Sequence, residues 1–200
     1  RSRRKPTSQL DRVADSNKLT GVAVEHRTTV FQDGQHLHGF GYDLVRNYAN
    51  NLSVKLDFKI VPDNNTALQW VAQGKANLAM TTTDIRTIEN KRLTSFSATC
   101  GDESILSSNG LNTNLNLVFK SATDPLSQTA SAFVCKGKQS GAIKQLASFY
   151  NQNVVKEESW TTIQRDLNNR LPIYEASFKQ TAQQYDLDWH LLAAIGYQEA

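Results

Sequence analysis

The stretch Val54–Met80, VKLDFKIVPDNNTALQWVAQGKANLAM, decides the fold. Val54, Leu56, Phe58 and Ile60 alternate with Lys55, Asp57 and Lys59, the period of a strand with one buried face. Pro62-Asp63-Asn64-Asn65 is a turn. Leu68, Trp70 and Val71 then mark a short helix over residues 66–73, and Gly74 stands where a helix ends. Ala76–Met80 is apolar except for Asn77, as a parallel strand buried on both faces is. Upstream, Leu19–Val24 reads as a strand, Asp33-Gly34 as a turn, and residues 42–52 as an amphipathic helix with Tyr42, Leu44, Val45, Tyr48, Ala49 and Leu52 at helical spacing. Strand–helix–strand–helix–strand over residues 19–80 predicts an α/β layer with right-handed crossovers.

Downstream the pattern changes. Residues 98–130 are rich in Ser, Thr, Asn, Asp and Gly, with a strand expected at Leu115–Phe119 and another at Ala132–Cys135. Residues 139–152 carry Ile143, Leu146, Ala147 and Tyr150 at helical spacing, and the remainder reads as helical. Leu171-Pro172 suits a helix start. In the last helix, Trp189–Glu199, the carboxyl of Glu199 shares the stripe of Leu191 and Ile195. A glutamate on a buried helical face has its proton affinity raised by desolvation, which suits a general acid near neutral pH. The competing reading puts Glu199 at a frayed, solvated chain end.

Of the 200 residues, 39% are apolar and 20% charged, the composition of a folded domain. No stretch approaches the roughly 20 apolar residues of a membrane-spanning helix. Residues 1–12 set Arg1, Arg3, Arg4, Lys5 and Arg12 against Asp11, a balance of +4 within a net charge of +3, so the body is near neutral and does not read as a nucleic-acid binder. Residues 1–17 are expected to be a disordered basic arm, suited to anionic lipid or cell-wall polymer. With no apolar leader segment and no initiating Met, the chain reads as processed or trimmed. Cys100 and Cys135 are the whole thiol inventory, and either a disulfide or two buried thiols fits their number. His36 and His38 lack a third partner for a metal and read as a solvated loop, so neither metal nor cofactor is expected. Trp70 and Trp160 read as packing residues more readily than as sugar platforms.

Leu171-Pro172-Ile173-Tyr174-Glu175, followed by Tyr185-Asp186-Leu187-Asp188-Trp189-His190-Leu191-Leu192-Ala193-Ala194-Ile195-Gly196-Tyr197-Gln198-Glu199, resembles the opening of the catalytic domain of the membrane-bound lytic murein transglycosylases of type F. Gly39-Phe40-Gly41-Tyr42-Asp43-Leu44 and Gly74-Lys75-Ala76-Asn77-Leu78-Ala79 resemble the first lobe of amino-acid-type periplasmic solute-binding proteins, the module that precedes the catalytic domain in that family. The resemblance implies Glu199 as sole catalytic acid/base and a ligand site at Phe40, Asp43, Thr82, Thr83, Arg86 and Asn90. Asn90 stands where the family has its ligand-carboxylate arginine, with Arg86, Lys91 and Arg92 as neighbouring cations.

The implied partners are a peptidoglycan glycan strand and an amino acid or muropeptide, in the periplasm with peripheral outer-membrane association. The expected organisation is a solute-binding-like module over 18–155, with a first lobe over 18–96, a reduced second lobe over 97–135 and a return helix over 139–152. Residues 156–200 are then an all-α start of a lysozyme-like domain. One and a half helices cannot enclose a sugar chain, so the 200 residues alone are expected to be catalytically inactive.

Overall fold

The computed structural model describes residues 8–151. Glu199, Trp160 and the expected helical domain lie outside them, as do the first seven residues. The elements run α1 (Gln9–Ser16), β1 (Lys18–Val24), β2 (Phe31–Asp33), β3 (His36–His38), α2 (Phe40–Asn51), β4 (Lys55–Val61), α3 (Asn64–Ala72), β5 (Leu78–Thr81), α4 (Ile85–Asn90), β6 (Thr94–Ser97), α5 (Ser104–Ser107), β7 (Asn116–Phe119), α6 (Pro125–Ser140) and α7 (Ala142–Phe149).

Five strands form one sheet in the order β4-β1-β5-β7-β6. β1 pairs in parallel with β4 and with β5, as the strand–helix–strand order predicts, while β7 runs antiparallel to both β5 and β6. Side-chain alternation divides the core. Leu19, Ala23, Leu78, Met80, Leu117 and Phe119 point to one face, under α2, α6 and α7. Val22, Ala79 and Val118 point to the other, against Leu68 and Val71 of α3 and Ile88 of α4. β2 and β3 form a separate hairpin whose turn holds Gly34 at φ 67°.

Three expectations are corrected. Residues 9–16 are a packed helix, not disordered chain: Ser8 caps it by accepting from Asp11 N–H, Val13 is buried, and Gln9 N–H bonds Asp124 Oδ2 at 2.8 Å. Ala132–Cys135 is not a strand but the middle of α6, which Asp124 caps, Pro125 opens and left-handed Gly141 closes. Residues 97–135 do not build a second lobe. They contribute β7 and α6 to the same sheet and the same core.

Candidate functional site

The C-terminal ends of β1 and β5, the end of β6 and the start of β7 meet at one edge of the sheet, where the loops of an α/β layer gather. Two helices begin there. At α2, Gly39 has φ 133°, and a Cβ on it would lie 2.5 Å from the Thr29 carbonyl oxygen. That contact lets loop 25–30 lie against the helix start. Gly41 N–H donates to Thr28 C=O and Tyr42 N–H to Thr29 C=O, so these two first-turn donors are engaged by the loop. The same docking turns Phe40 and Asp43 inward. Phe40 is fully buried in the core, and Asp43, 1% exposed, accepts a hydrogen bond from the Tyr150 phenol. Both expected ligand residues are therefore buried in the described structure.

At α4, Asp84 accepts from Thr87 N–H at 2.8 Å. That backbone donor holds the Asp84 carboxyl below its ordinary range, with Arg86 a lesser contributor. Thr83 N–H bonds Thr81 Oγ1, which donates onward to Asn64 Oδ1. Thr82 and Thr83 are half-buried at the edge. Arg86 and Asn90 are exposed, four residues apart on one side of α4. Thr83 lines the groove that opens here, whereas Phe40, Asp43, Thr82, Arg86 and Asn90 do not.

The groove holds about 460 Å³ between α4, β6 and the segment leading into β7. Its floor is Leu93, Phe96 and Leu115, and its rim carries Asp84, Glu89 and Glu103. Reading the sequence did not find it, because Glu103 reaches Asp84 and Glu89 of the α4 segment only through the fold. Cys100, in the turn beyond β6, is joined by a disulfide to Cys135 of α6, with 5.1 Å between their Cα atoms. Of the two histidines, His36 is exposed, but His38 is buried with its ring 5.7 Å from that of Phe31, a correction to the solvated-loop reading. Among the described residues no group of three His, Cys, Asp or Glu side chains is placed to hold a metal. Trp70 packs against the α3 side of the core with Lys75 Nζ 5.8 Å from its ring centre.

Sequence comparison connects this layer to known proteins. The chain is 37% identical over 86 residues to a membrane-bound lytic murein transglycosylase F of Stutzerimonas stutzeri, covering 42% of this chain and 18% of that protein. It is 40% identical over 79 residues to the protein of the same name from Marinobacter nauticus, covering 38% of this chain and 16% of that one. Over these stretches the chain is homologous to lytic murein transglycosylases F. The matched part spans less than a fifth of the length of these curated relatives. No family model matches the chain. The fold is that of amino-acid solute-binding proteins. An ancestral cationic amino-acid solute-binding protein superposes with a TM-score of 0.55 at 14% identity, over 72% of this chain and all of that one. An ancestral amino-acid-binding protein described as a precursor of cyclohexadienyl dehydratase superposes with a TM-score of 0.53 at 14% identity, over 73% of this chain and all of that one. Among the described residues no helix is long and apolar enough to cross a membrane.

Proposed function

We propose that this chain belongs to a peptidoglycan lytic transglycosylase, as a solute-binding-like module joined to the opening of the catalytic domain. The observation that carries the reading is the 37–40% identity to transglycosylases F. The resemblance of residues 171–199 to the start of that family's catalytic domain supports Glu199 as the acid/base. In this scheme Glu199 protonates the glycosidic oxygen between N-acetylmuramic acid and N-acetylglucosamine. An oxocarbenium-like centre develops with help from the neighbouring N-acetyl group. The Glu199 carboxylate then takes the proton of the sugar's own 6-hydroxyl, whose oxygen closes a 1,6-anhydro ring. Because the nucleophile belongs to the substrate, no second carboxylate is required, unlike the two-carboxylate glycosidases.

The match spans less than a fifth of the relatives' length, and we expect the 200 residues alone to leave peptidoglycan intact. The proposed setting is the periplasm, peripheral to the outer membrane, with the module tuning access to the cleft through an amino acid or muropeptide. Zymography of the full gene product tests the reading. Lysis lost in Glu199→Gln, with products from the parent lighter by one water than hydrolysis gives, supports it. Undiminished lysis by Glu199→Gln removes that residue from the mechanism.

A second reading, a solute-binding or sensor protein, draws on the fold neighbours alone. Calorimetric titration with amino acids and muropeptides tests it, and silence across the panel rejects it.

A further inference from the structure

β4 and β6 are the two edges of the sheet, and among the described residues β6 is the one flanked by grooves. β6 pairs with β7 on one side, and on the other no described strand pairs with it, though the Ser97 carbonyl accepts from Cys100 N–H. All four of its residues are half-exposed. Edge strands with free backbone donors and acceptors are templates for a further strand. β6 is also flanked by a groove on each face of the sheet. One is the acidic groove of about 460 Å³ already described, and the other, about 480 Å³, lies between β6 and α6. Thr94, Ser95 and Phe96 line both.

The chemistry of the two grooves differs. The α4-side groove has Asp84, Glu89 and Glu103 on its rim and no Lys or Arg in its lining. Asn116 lines it too, only 8% exposed. Its amide Nδ2 donates to the Asn114 carbonyl, while its Oδ1 accepts from no described residue. Ile85, 53% exposed, forms an apolar lip. The α6-side groove carries no charge and is lined by small or polar groups such as Ser127, Gln128, Ser131 and Ala132. A strand laid along β6 would send alternate side chains to opposite faces of the sheet. One set would meet carboxylates and the Asn116 amide oxygen, the other a neutral, hydroxyl-rich slot.

We propose that β6 is a docking edge for an extended peptide that alternates basic with small polar residues. Main-chain pairing to β6 supplies affinity, and the two grooves supply specificity. The basic side chains face Asp84, Glu89 and Glu103, and the small ones face α6. This assignment is independent of the transglycosylase reading, since it uses neither Glu199 nor a glycan.

The test uses the 200-residue chain and fluorescence anisotropy with a labelled, end-blocked Lys-Thr-Lys-Thr-Lys peptide, with Glu-Thr-Glu-Thr-Glu as reference. The expected result is binding of the basic peptide only. It should weaken about ten-fold when Glu89→Lys and Glu103→Lys are combined, both positions being exposed. Two N-methylated forms of the basic peptide separate strand pairing from charge capture. Methylation at the Lys positions and at the Thr positions block opposite edges, so one form should lose binding and the other keep it. Equal binding of both forms overturns the proposal, as does failure of the parent peptide to bind. An edge already covered by a second copy would appear as a dimer in sedimentation and refuse the peptide. An edge covered by residues 1–7 would bind it only after their removal. Either result also overturns the proposal.

Discussion

The phenol of Tyr150 donates a hydrogen bond to the carboxyl of Asp43, 107 residues earlier, inside the core. The pair fastens the end of α7 to the first turn of α2, and both residues are at most 1% exposed. Tyr150 is also ringed by aromatics, with Phe31 edge-on at 6.5 Å and Phe149 edge-on at 5.1 Å. Tyr150→Phe keeps the ring and removes one donor from a buried carboxyl. It is expected to cost about 1–3 kcal/mol in urea unfolding with an unchanged slope. Tyr150→Ala adds a cavity and should cost about 3–5 kcal/mol. A Phe variant as stable as the parent would show that the bond contributes nothing.

The Cys100–Cys135 disulfide ties the turn beyond β6 to α6 across a separation of 35 residues. Closing a loop of that length restricts the unfolded chain by about 3–4 kcal/mol on the chain-entropy estimate. Reduction should lower the urea midpoint accordingly, and the paired Cys100→Ser and Cys135→Ser variant should match the reduced protein. A midpoint insensitive to reductant would refute the contribution.

Gly39 is expected to be intolerant of any side chain. Its φ of 133° lies where L-residues are strained, and an added Cβ would press on the Thr29 carbonyl oxygen at 2.5 Å. Backbone cannot yield as a flexible side chain does. Gly39→Ala should therefore loosen loop 25–30 from α2 and cost more than about 1 kcal/mol. Faster amide exchange at Gly41 and Tyr42, the donors to that loop, is the measurement. Unchanged protection there would contradict the argument.

Much of the sheet was readable because burial is periodic. Val54–Met80 reads as one strand with a single buried face and one buried on both. The structure pairs both with β1 and buries β5 throughout, but leaves the edge strand β4 half-buried at Leu56 and Phe58 and exposed at Ile60. The reading weakened where elements are polar and held by long-range contacts. α1 has few apolar residues, and it is fixed by Gln9 bonding to Asp124 and to Asn77. β6, Thr-Ser-Phe-Ser, offers one apolar residue because it is an edge. Ala132–Cys135 is too short an apolar run to separate strand from helix without its caps. The glycines around Phe40 serve close packing against Thr28 and Thr29, whereas the groove brings Glu103 to Asp84 and Glu89 of α4 through tertiary structure.

Tyr48 gives a prediction in alkali. Its hydroxyl is 3.0 Å from the Leu126 carbonyl, to which it donates, and 2.7 Å from Thr129 Oγ1, bridging α2 to the start of α6. Burial pushes the phenol up from 10.0 to about 12, the Thr129 bond lowers it somewhat, and the Asp124 charge raises it further. A raised folded-state pKa means the native protein holds this proton more tightly than the unfolded chain. The stabilisation is complete below the unfolded value near pH 10 and is lost as pH climbs through about 12. Its size is on the order of 2 kcal/mol. Urea midpoints measured across that window should fall for the parent and fall less for Tyr48→Phe, which carries no proton to lose. Phenolate absorbance should show a late-titrating component near pH 12 that is missing in the variant. Parallel pH profiles for the two proteins would mean that this proton is held no more tightly in the native state than in the unfolded chain.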